Sequence, residues 1–238
     1  MRKEVLILGG IVVLVIVGGI IGSQYYSNST APAPAPTKPA ATNQSEKPTG
    51  GLPPLATSEY LIREDSPSIG PKDAKVTIVE FVDPECESCA LYHPVIKKVL
   101  NANKGNVRFV VRYMPLHPNS LSAATFLEAA GEQGKYWEAQ DYLFQKQPEW
   151  GTKHGRAATD QPDVNVLFKK YAKDLGLDES KMNEAFSQNK YASKIARDKR
   201  DGEAIGVRQT PTIFVNGTKL NRLDETALKF LVAEGLKN

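Results

Sequence analysis

The sequence predicts an α/β domain in which strands and helices alternate at both ends and a long helical block fills the middle. Three observations carry that prediction. Val76-Thr77-Ile78-Val79-Glu80-Phe81-Val82 is β-branched and nearly all apolar, as a buried strand should be. A second β-rich run, Val107 to Tyr113, follows after a helical interval and is closed by Pro115. Near the far end, Thr212-Ile213-Phe214-Val215 and Thr218-Lys219-Leu220 flank Asn216-Gly217, the clearest hairpin signal in the chain. Strand–helix–strand, then helices, then hairpin–helix is an α/β order.

Ahead of that domain, Met1-Arg2-Lys3-Glu4 precedes Val5 to Ile21, an uncharged run of 17 residues. As a helix it would be roughly 25 Å long, a little under the hydrocarbon core of a bilayer. Gly22 and Ser23 extend the run, and Tyr25-Tyr26 suit the far interface. Arg2 and Lys3 before the run orient the N-terminus to the cytoplasm. Residues 1–26 are therefore read as a single-pass transmembrane signal-anchor that sends the rest of the chain outward. The competing reading is a cleaved signal peptide, which usually has a shorter apolar core and an Ala-x-Ala-like site. Ser23-Gln24-Tyr25-Tyr26 offers no such site. Residues 27–54 carry Ala31-Pro32-Ala33-Pro34-Ala35-Pro36 and end at Pro53-Pro54, with too little apolar surface to offset chain entropy. They are expected to be a disordered, semi-rigid Pro/Ala-rich linker.

Residues 55–238 read as one globular domain. The whole chain is 41% hydrophobic and 24% charged with a formal charge of +3. Leaving out Arg2, Lys3, Lys38, Lys47, Glu4 and Glu46 brings the domain to about +1, too little for nucleic acid to be its partner. Asp83-Pro84-Glu85 ends the first strand, and Cys86 opens a helix through Leu91, Val95, Ile96, Val99 and Leu100, with a kink predicted at Pro94. Helical period then covers 122–133, 135–147, 164–175 and 179–205, punctuated by Gly134, Pro148 and Asp160-Gln161-Pro162. Trp137 and Trp150 are expected in the core of this block. Lys190, Lys194, Arg197, Lys199 and Arg200, interrupted by Asp198 and Asp201, read as a solvated helix face. Asp224 or Glu225 starts a last amphipathic helix.

Cys86 and Cys89 are the only two cysteines, which excludes both a disulfide-stapled mini-protein and a four-cysteine zinc finger. Spaced by three on the first turn of a helix, they can close a small disulfide ring. Cys86, at the tip, lies beside unpaired backbone N–H groups and the positive end of the helix dipole, both of which favour a thiolate. Such a thiolate attacks a disulfide, and Cys89 behind it resolves the mixed disulfide. Copper or zinc held by Cys86, Cys89 and His93 is the alternative chemistry. Glu80 is an acid inside an apolar strand, so its pKa should be raised and it suits proton transfer. A carboxylate bonded to a neighbour is the plainer reading of the same residue.

Val79-Glu80-Phe81, Cys86-Glu87-Ser88-Cys89, Pro94 and the segment Gly206-Val207-Arg208-Gln209-Thr210-Pro211-Thr212-Ile213-Phe214-Val215-Asn216-Gly217 together resemble the thioredoxin superfamily. Within it the likeness is to the DsbA-like, extracytoplasmic thiol–disulfide oxidoreductases of bacteria, over roughly residues 76–237. The resemblance implies a thioredoxin fold with an inserted helical domain, about 119–205, between the Cys-x-x-Cys helix and the strand led by a cis-proline. It implies that Pro211 is that cis-proline, that Thr210 and Pro211 bind substrate, and that Thr210 contacts the active-site sulfur. It also implies that Glu80 handles the proton of Cys89. No dissociable cofactor and no metal are implied, because the Cys86–Cys89 disulfide itself carries two electrons.

Strongly oxidising members of that group carry Pro-His between the cysteines, where this chain has Glu87-Ser88, with Glu85 ahead. Glu85 and Glu87 are expected to disfavour the thiolate, raise the pKa of Cys86 and make the disulfide less oxidising. Glu85, Glu87 and Ser88 are thus the redox-tuning positions, and the direction of electron flow stays open. The partners implied are exported cysteine-containing proteins and a membrane redox protein that resets the pair. The location implied is the extracytoplasmic or periplasmic side of a bacterial inner membrane. Residues 22–54 leave no room for a dimerisation domain, so a monomer is expected. His117 and His154 lie in loops and receive no role.

Overall fold

In the computed structural model, the described residues are 58–237 apart from His154. The anchor at 1–26, the linker at 27–54 and His154 lie outside them. No helix among the described residues is long and apolar enough to cross a membrane. A one-turn helix, α1 (Ser58–Leu61), and a two-residue strand, β1 (Ser68–Ile69), lead into the domain. Neither has enough residues to show a period, so neither is predicted from the sequence. Next come β2 (Val76–Val82), α2 (Glu87–Ala102) and β3 (Val107–Tyr113). Both strands fall where their β-branched runs predict. Helix α2 runs through Pro94 and keeps its assignment on both sides of it, where the sequence predicted a kink.

The helical block comprises α3 (Ser120–Gly131), α4 (Tyr136–Trp150), a 3-10 turn (Ala158–Asp160), α5 (Val164–Asp174), α6 (Glu179–Ser187) and α7 (Ala192–Ala204). The stretch 179–205, read as one helix from sequence, is therefore two. Asn189 takes φ 48° between them, the left-handed conformation that ends a helix and that Asn tolerates better than most residues. Asp163 and Asp178 cap α5 and α6 by accepting backbone N–H groups of the first turn. A hairpin of β4 (Thr212–Val215) and β5 (Thr218–Lys219) follows, then α8 (Glu225–Lys237). Asn216 and Gly217 both have positive φ, 46° and 79°, as a type I′ turn requires.

The five strands form one sheet in the order β1-β3-β2-β4-β5. β2 and β3 are parallel, with Glu80 opposite Val111, whereas β4 runs antiparallel to β2, with Phe81 opposite Thr212. That topology decides where chemistry can occur. The segments leaving β2 and β3 and the segment entering β4 all meet at one edge of the sheet, as ligand-binding loops of such sheets do. One sheet face carries Val76, Ile78, Val82, Phe109, Val111 and Tyr113 against α2 and the helical block. The other carries Val79, Phe81, Val110 and Phe214 against Leu61, Met114 and Val207. Trp150 is fully buried in the helical block and its indole donates to the Leu143 carbonyl, while Trp137 is half-buried.

The supposed solvated face of α7 is not all solvated. Asp198 and Asp201, which interrupt its basic run, are buried and bind Arg112 of β3. Arg112 is completely buried, donates also to the Tyr60 carbonyl at 2.7 Å, and lies 5.6 Å over the Phe81 ring. Lys194 is packed 4.8 Å over the Tyr113 ring and bridges to Glu128. Only part of the run, including the Lys199 and Arg200 region, conforms to the expectation.

Candidate active site

Cys86 is the N-cap of α2, in extended backbone conformation, so its sulfur lies where the helix leaves its first N–H groups unpaired. Cys89, one turn inside, is fully buried. Both are thiols in this structure. A hydrogen bond between the two sulfurs pushes their pKa values apart. Cys86 falls to about 5, chiefly because the Cys89 thiol donates to it, with the Thr210 hydroxyl and the backbone of Cys89 and Ser88 also favouring the thiolate against burial. Cys89 moves the other way, well above an ordinary thiol, because of burial first and then its bond to Cys86 and the charge of Glu80. An outer sulfur so placed can act as a nucleophile while the inner one keeps its proton.

Glu80 lies on the central strand, completely buried, and its Oε2 has no hydrogen-bond partner. Burial, and then the charge of Cys86, push its pKa up to about 8. On the opposite flank the Thr210–Pro211 peptide bond is cis, immediately before β4. The Cys86 thiol donates to the Thr210 carbonyl at 3.4 Å. The Thr210 hydroxyl, buried and unpartnered in this dithiol form, is close enough to favour the Cys86 thiolate. Glu80, Cys86, Cys89, Thr210 and Pro211 are thus gathered at one edge of the sheet.

The Cys86 pKa is lowered from that of an ordinary thiol, and neither Glu85 nor Glu87 is among its largest causes. Glu85 is buried, and its carboxylate accepts from the backbone and side chain of Asn119 at 2.5 and 3.0 Å and from the backbone and hydroxyl of Thr152 at 2.8 and 2.6 Å. Those four donors absorb its charge and tie it to the helical block. Glu87 and Ser88 are exposed on the first turn, and Ser88 acts on the sulfur through its backbone. The alternative of a copper or zinc site is not supported by the geometry. Among the described residues no group of three or more His, Cys, Asp or Glu could hold an ion. His93 belongs to another cluster, its Nε2 2.6 Å from Asp141, which also pairs with Lys97.

Asp83 ends the strand before the cysteines and is completely buried. Its carboxylate accepts from the backbone N–H of Glu85, Leu116 and His117, from the Ser120 hydroxyl, and from His117 Nδ1 at 2.7 Å. The segments that follow β2 and β3 are clasped together at this one residue.

A family model described as Thioredoxin matches residues 63–233. The chain belongs to the thioredoxin family. Among solved structures, BdbD from Bacillus subtilis in its oxidised form is similar at a TM-score of 0.64 and 23% identity, covering 79% of this chain and 98% of that one. Wolbachia pipientis alpha-DsbA1 is similar at 0.65 and 19%, covering 74% and 94%. A thioredoxin-like oxidoreductase from Silicibacter pomeroyi matches at 0.63 and 24%, covering 77% and 99%. At these identities the likeness is one of fold: a thioredoxin fold of the DsbA type, with the helical insertion. Higher identity is found within much longer proteins. The Na(+)/H(+) antiporter NhaA 3 of Salinispora tropica is 36% identical over 153 residues, 63% of this chain and 21% of that protein. NhaA of Herminiimonas arsenicoxydans is 34% identical over 152 residues, 63% and 22%. The chain spans about one fifth of the length of these curated relatives.

For this thioredoxin-family chain, sequence reasoning missed Asp83, His117, Asn119 and Thr152. One signal was available. Asp83 and the segment Met114 to Asn119 each follow a strand of the pair read as buried, and had those strands been taken as parallel neighbours, both segments would have been placed at the same sheet edge. Nothing local marked Thr152.

Proposed function

We propose that this protein is a thiol–disulfide oxidoreductase that oxidises cysteines of exported proteins. The observation that carries the reading is the placement of Cys86 at a helix tip, with Cys89 one turn behind and the cis Thr210–Pro211 peptide beside its sulfur, a setting that lowers its pKa to about 5. Stabilising the thiolate stabilises the reduced enzyme, which makes the disulfide form the stronger oxidant. In the proposed cycle a substrate thiolate attacks Cys86 of the Cys86–Cys89 disulfide and breaks the S–S bond. Cys89 leaves and takes a proton, for which Glu80, protonated at neutral pH with a pKa of about 8, is placed. A second substrate thiolate then attacks the substrate sulfur of the mixed disulfide, and Cys86 departs as a stable thiolate. Two electrons have passed from two substrate thiols to the enzyme pair. Thr210 and Pro211 border the reacting sulfur and offer backbone to an extended substrate.

The same reading needs no dissociable cofactor, and it needs a membrane redox protein to withdraw the two electrons. It places the domain outside the cytoplasm, tethered by residues 5–21 through the linker, as a monomer. Kinship with segments of membrane antiporters supports action near a bilayer. The test uses the full chain in detergent, oxidised, with a reduced two-cysteine peptide. Peptide disulfide should form at one equivalent per enzyme disulfide. Cys86→Ser should abolish it and Cys89→Ser should accumulate a mixed disulfide when offered oxidised glutathione. Unchanged peptide oxidation by Cys86→Ser would overturn the proposal.

A further inference from the structure

We propose that Asp83 is a positioning residue of the redox site, whose carboxylate braces the turn that delivers Cys86 to the tip of α2 against the segment that follows β3. This inference rests on the oxidoreductase reading. It begins from what converges on one buried side chain. Asp83 Oδ1 accepts the Glu85 backbone N–H at 2.9 Å and the Ser120 hydroxyl. Oδ2 accepts the backbone N–H groups of Leu116 and His117 at 2.7 and 3.2 Å and lies 2.7 Å from His117 Nδ1. Asp83 and Ser120 are both completely buried. A carboxylate taken out of water is costly unless its lone pairs are met, and here both oxygens are met from two segments at once.

The backbone of the same residue closes the turn. The Asp83 carbonyl accepts the Cys86 N–H at 3.0 Å, which makes Asp83-Pro84-Glu85-Cys86 a hydrogen-bonded β-turn with proline at its second position. The carboxylate bond to the Glu85 N–H braces that turn from within. Cys86 is at once the last residue of the turn and the N-cap of α2, and its sulfur is 3.4 Å from the Thr210 carbonyl. On the other side, the pairing of the two strands ends where the Met114 N–H meets the Val82 carbonyl. Past that bond the Asp83 carboxylate takes the place of the ladder and holds Leu116 and His117. The leading influences that favour the Cys86 thiolate are contacts of position: the Cys89 thiol, Thr210, and the backbone of Cys89 and Ser88. A turn free to swing would weaken several of them together. By charge alone, a carboxylate near a sulfur disfavours its thiolate. Position and charge therefore predict opposite effects of removing Asp83.

The test is the equilibrium of the full chain with glutathione at pH 7, alongside the ultraviolet titration of the Cys86 thiolate, in wild type and Asp83→Asn. An amide has a single acceptor oxygen, so no orientation of it serves both the turn and the segment after β3. Lost positioning should make the disulfide less oxidising by roughly threefold to tenfold in equilibrium constant, the size of one or two hydrogen bonds. Loss of a negative charge alone would make it more oxidising instead. Ser120→Ala, which removes one donor and keeps the carboxylate, should shift the equilibrium in the same direction by about twofold. An Asp83→Asn disulfide that is more oxidising, or less oxidising by under about threefold, overturns the proposal while leaving the oxidoreductase reading intact. Should Asp83→Asn fail to fold by circular dichroism, Ser120→Ala decides alone, and an equilibrium equal to wild type or more oxidising overturns the proposal. Wild-type protein that never exchanges with glutathione would remove the oxidoreductase reading and this proposal with it.

Discussion

At the scale of single residues, the site divides its titrating groups into pairs pushed apart. Cys86 goes down chiefly because the Cys89 thiol donates to it, and Cys89 goes up through burial and then the same bond. Glu80 goes up because its carboxyl is completely buried on the central strand and lies near the charge of Cys86. Two consequences are measurable. Without an ionisable group there, Glu80→Gln should slow exchange by roughly tenfold to a hundredfold at pH 7, in the lower range for a lost proton-transfer group. Stopped-flow kinetics with a model disulfide measures it. The same substitution should change how stability depends on pH. Glu80 titrates near 8 when folded against 4.5 for the free side chain. Its contribution is therefore full below pH 4.5 and is lost as pH rises through 8. Urea midpoints of the oxidised protein, in which the thiols do not titrate, should fall from pH 5 to pH 8.5 in wild type and fall less in Glu80→Gln. Much of this scale was legible in the sequence: a Cys-x-x-Cys after a buried strand and an acid inside that strand are local patterns. The partners of Glu85 were not. Glu85 bonds to Asn119 and Thr152, 34 and 67 residues away, and no local rule turns a carboxylate aside.

At the scale of elements, Glu85 joins the active-site turn to the helical insertion, at the start of α3 and just past the end of α4. Asn119, the α3 N-cap, makes no capping bond with its own side chain. Its backbone N–H goes to Glu85 instead, so a carboxylate from another element stands at that helix terminus. Glu85→Ala leaves those donors without their acceptor and should cost about 2–4 kcal/mol, several charge-assisted bonds partly replaced by water. A urea titration followed by far-ultraviolet circular dichroism checks it; a change under about 0.5 kcal/mol would mean that the insertion is held elsewhere. Element boundaries were read well wherever a strong turn signal existed, as at Asn216-Gly217. They were read poorly where the break comes from one backbone angle, as at Asn189, because helical period continues in side-chain pattern on both sides.

At the scale of the whole molecule, the sheet and the insertion are held in register by one buried ion network. Arg112 of β3 reaches Asp198 and Asp201 of α7 and the Tyr60 carbonyl of α1, and Arg63 adds a second guanidinium to Asp201. Arg112→Met should destabilise by about 3–5 kcal/mol, because it leaves Asp198 buried beside weaker partners. Equilibrium unfolding measures that loss, and a neutral result would make the network dispensable. The fold class and the order of its parts were legible because strand runs and the hairpin are local, whereas this network joins residues 86 and 89 positions apart. Position in the fold also bears on how a chain with an acidic neighbour can present a thiolate: Glu85 is bonded to Asn119 and Thr152, and Cys86 caps the helix. The most direct measurement is the redox potential of the Cys86–Cys89 pair in the full chain, titrated against glutathione at pH 7. A two-electron transition more positive than about −200 mV is the expected result, between the values typical of strong extracytoplasmic oxidants and of isomerases. A more negative potential would contradict the oxidant direction, and no transition at all would contradict thiol–disulfide exchange itself.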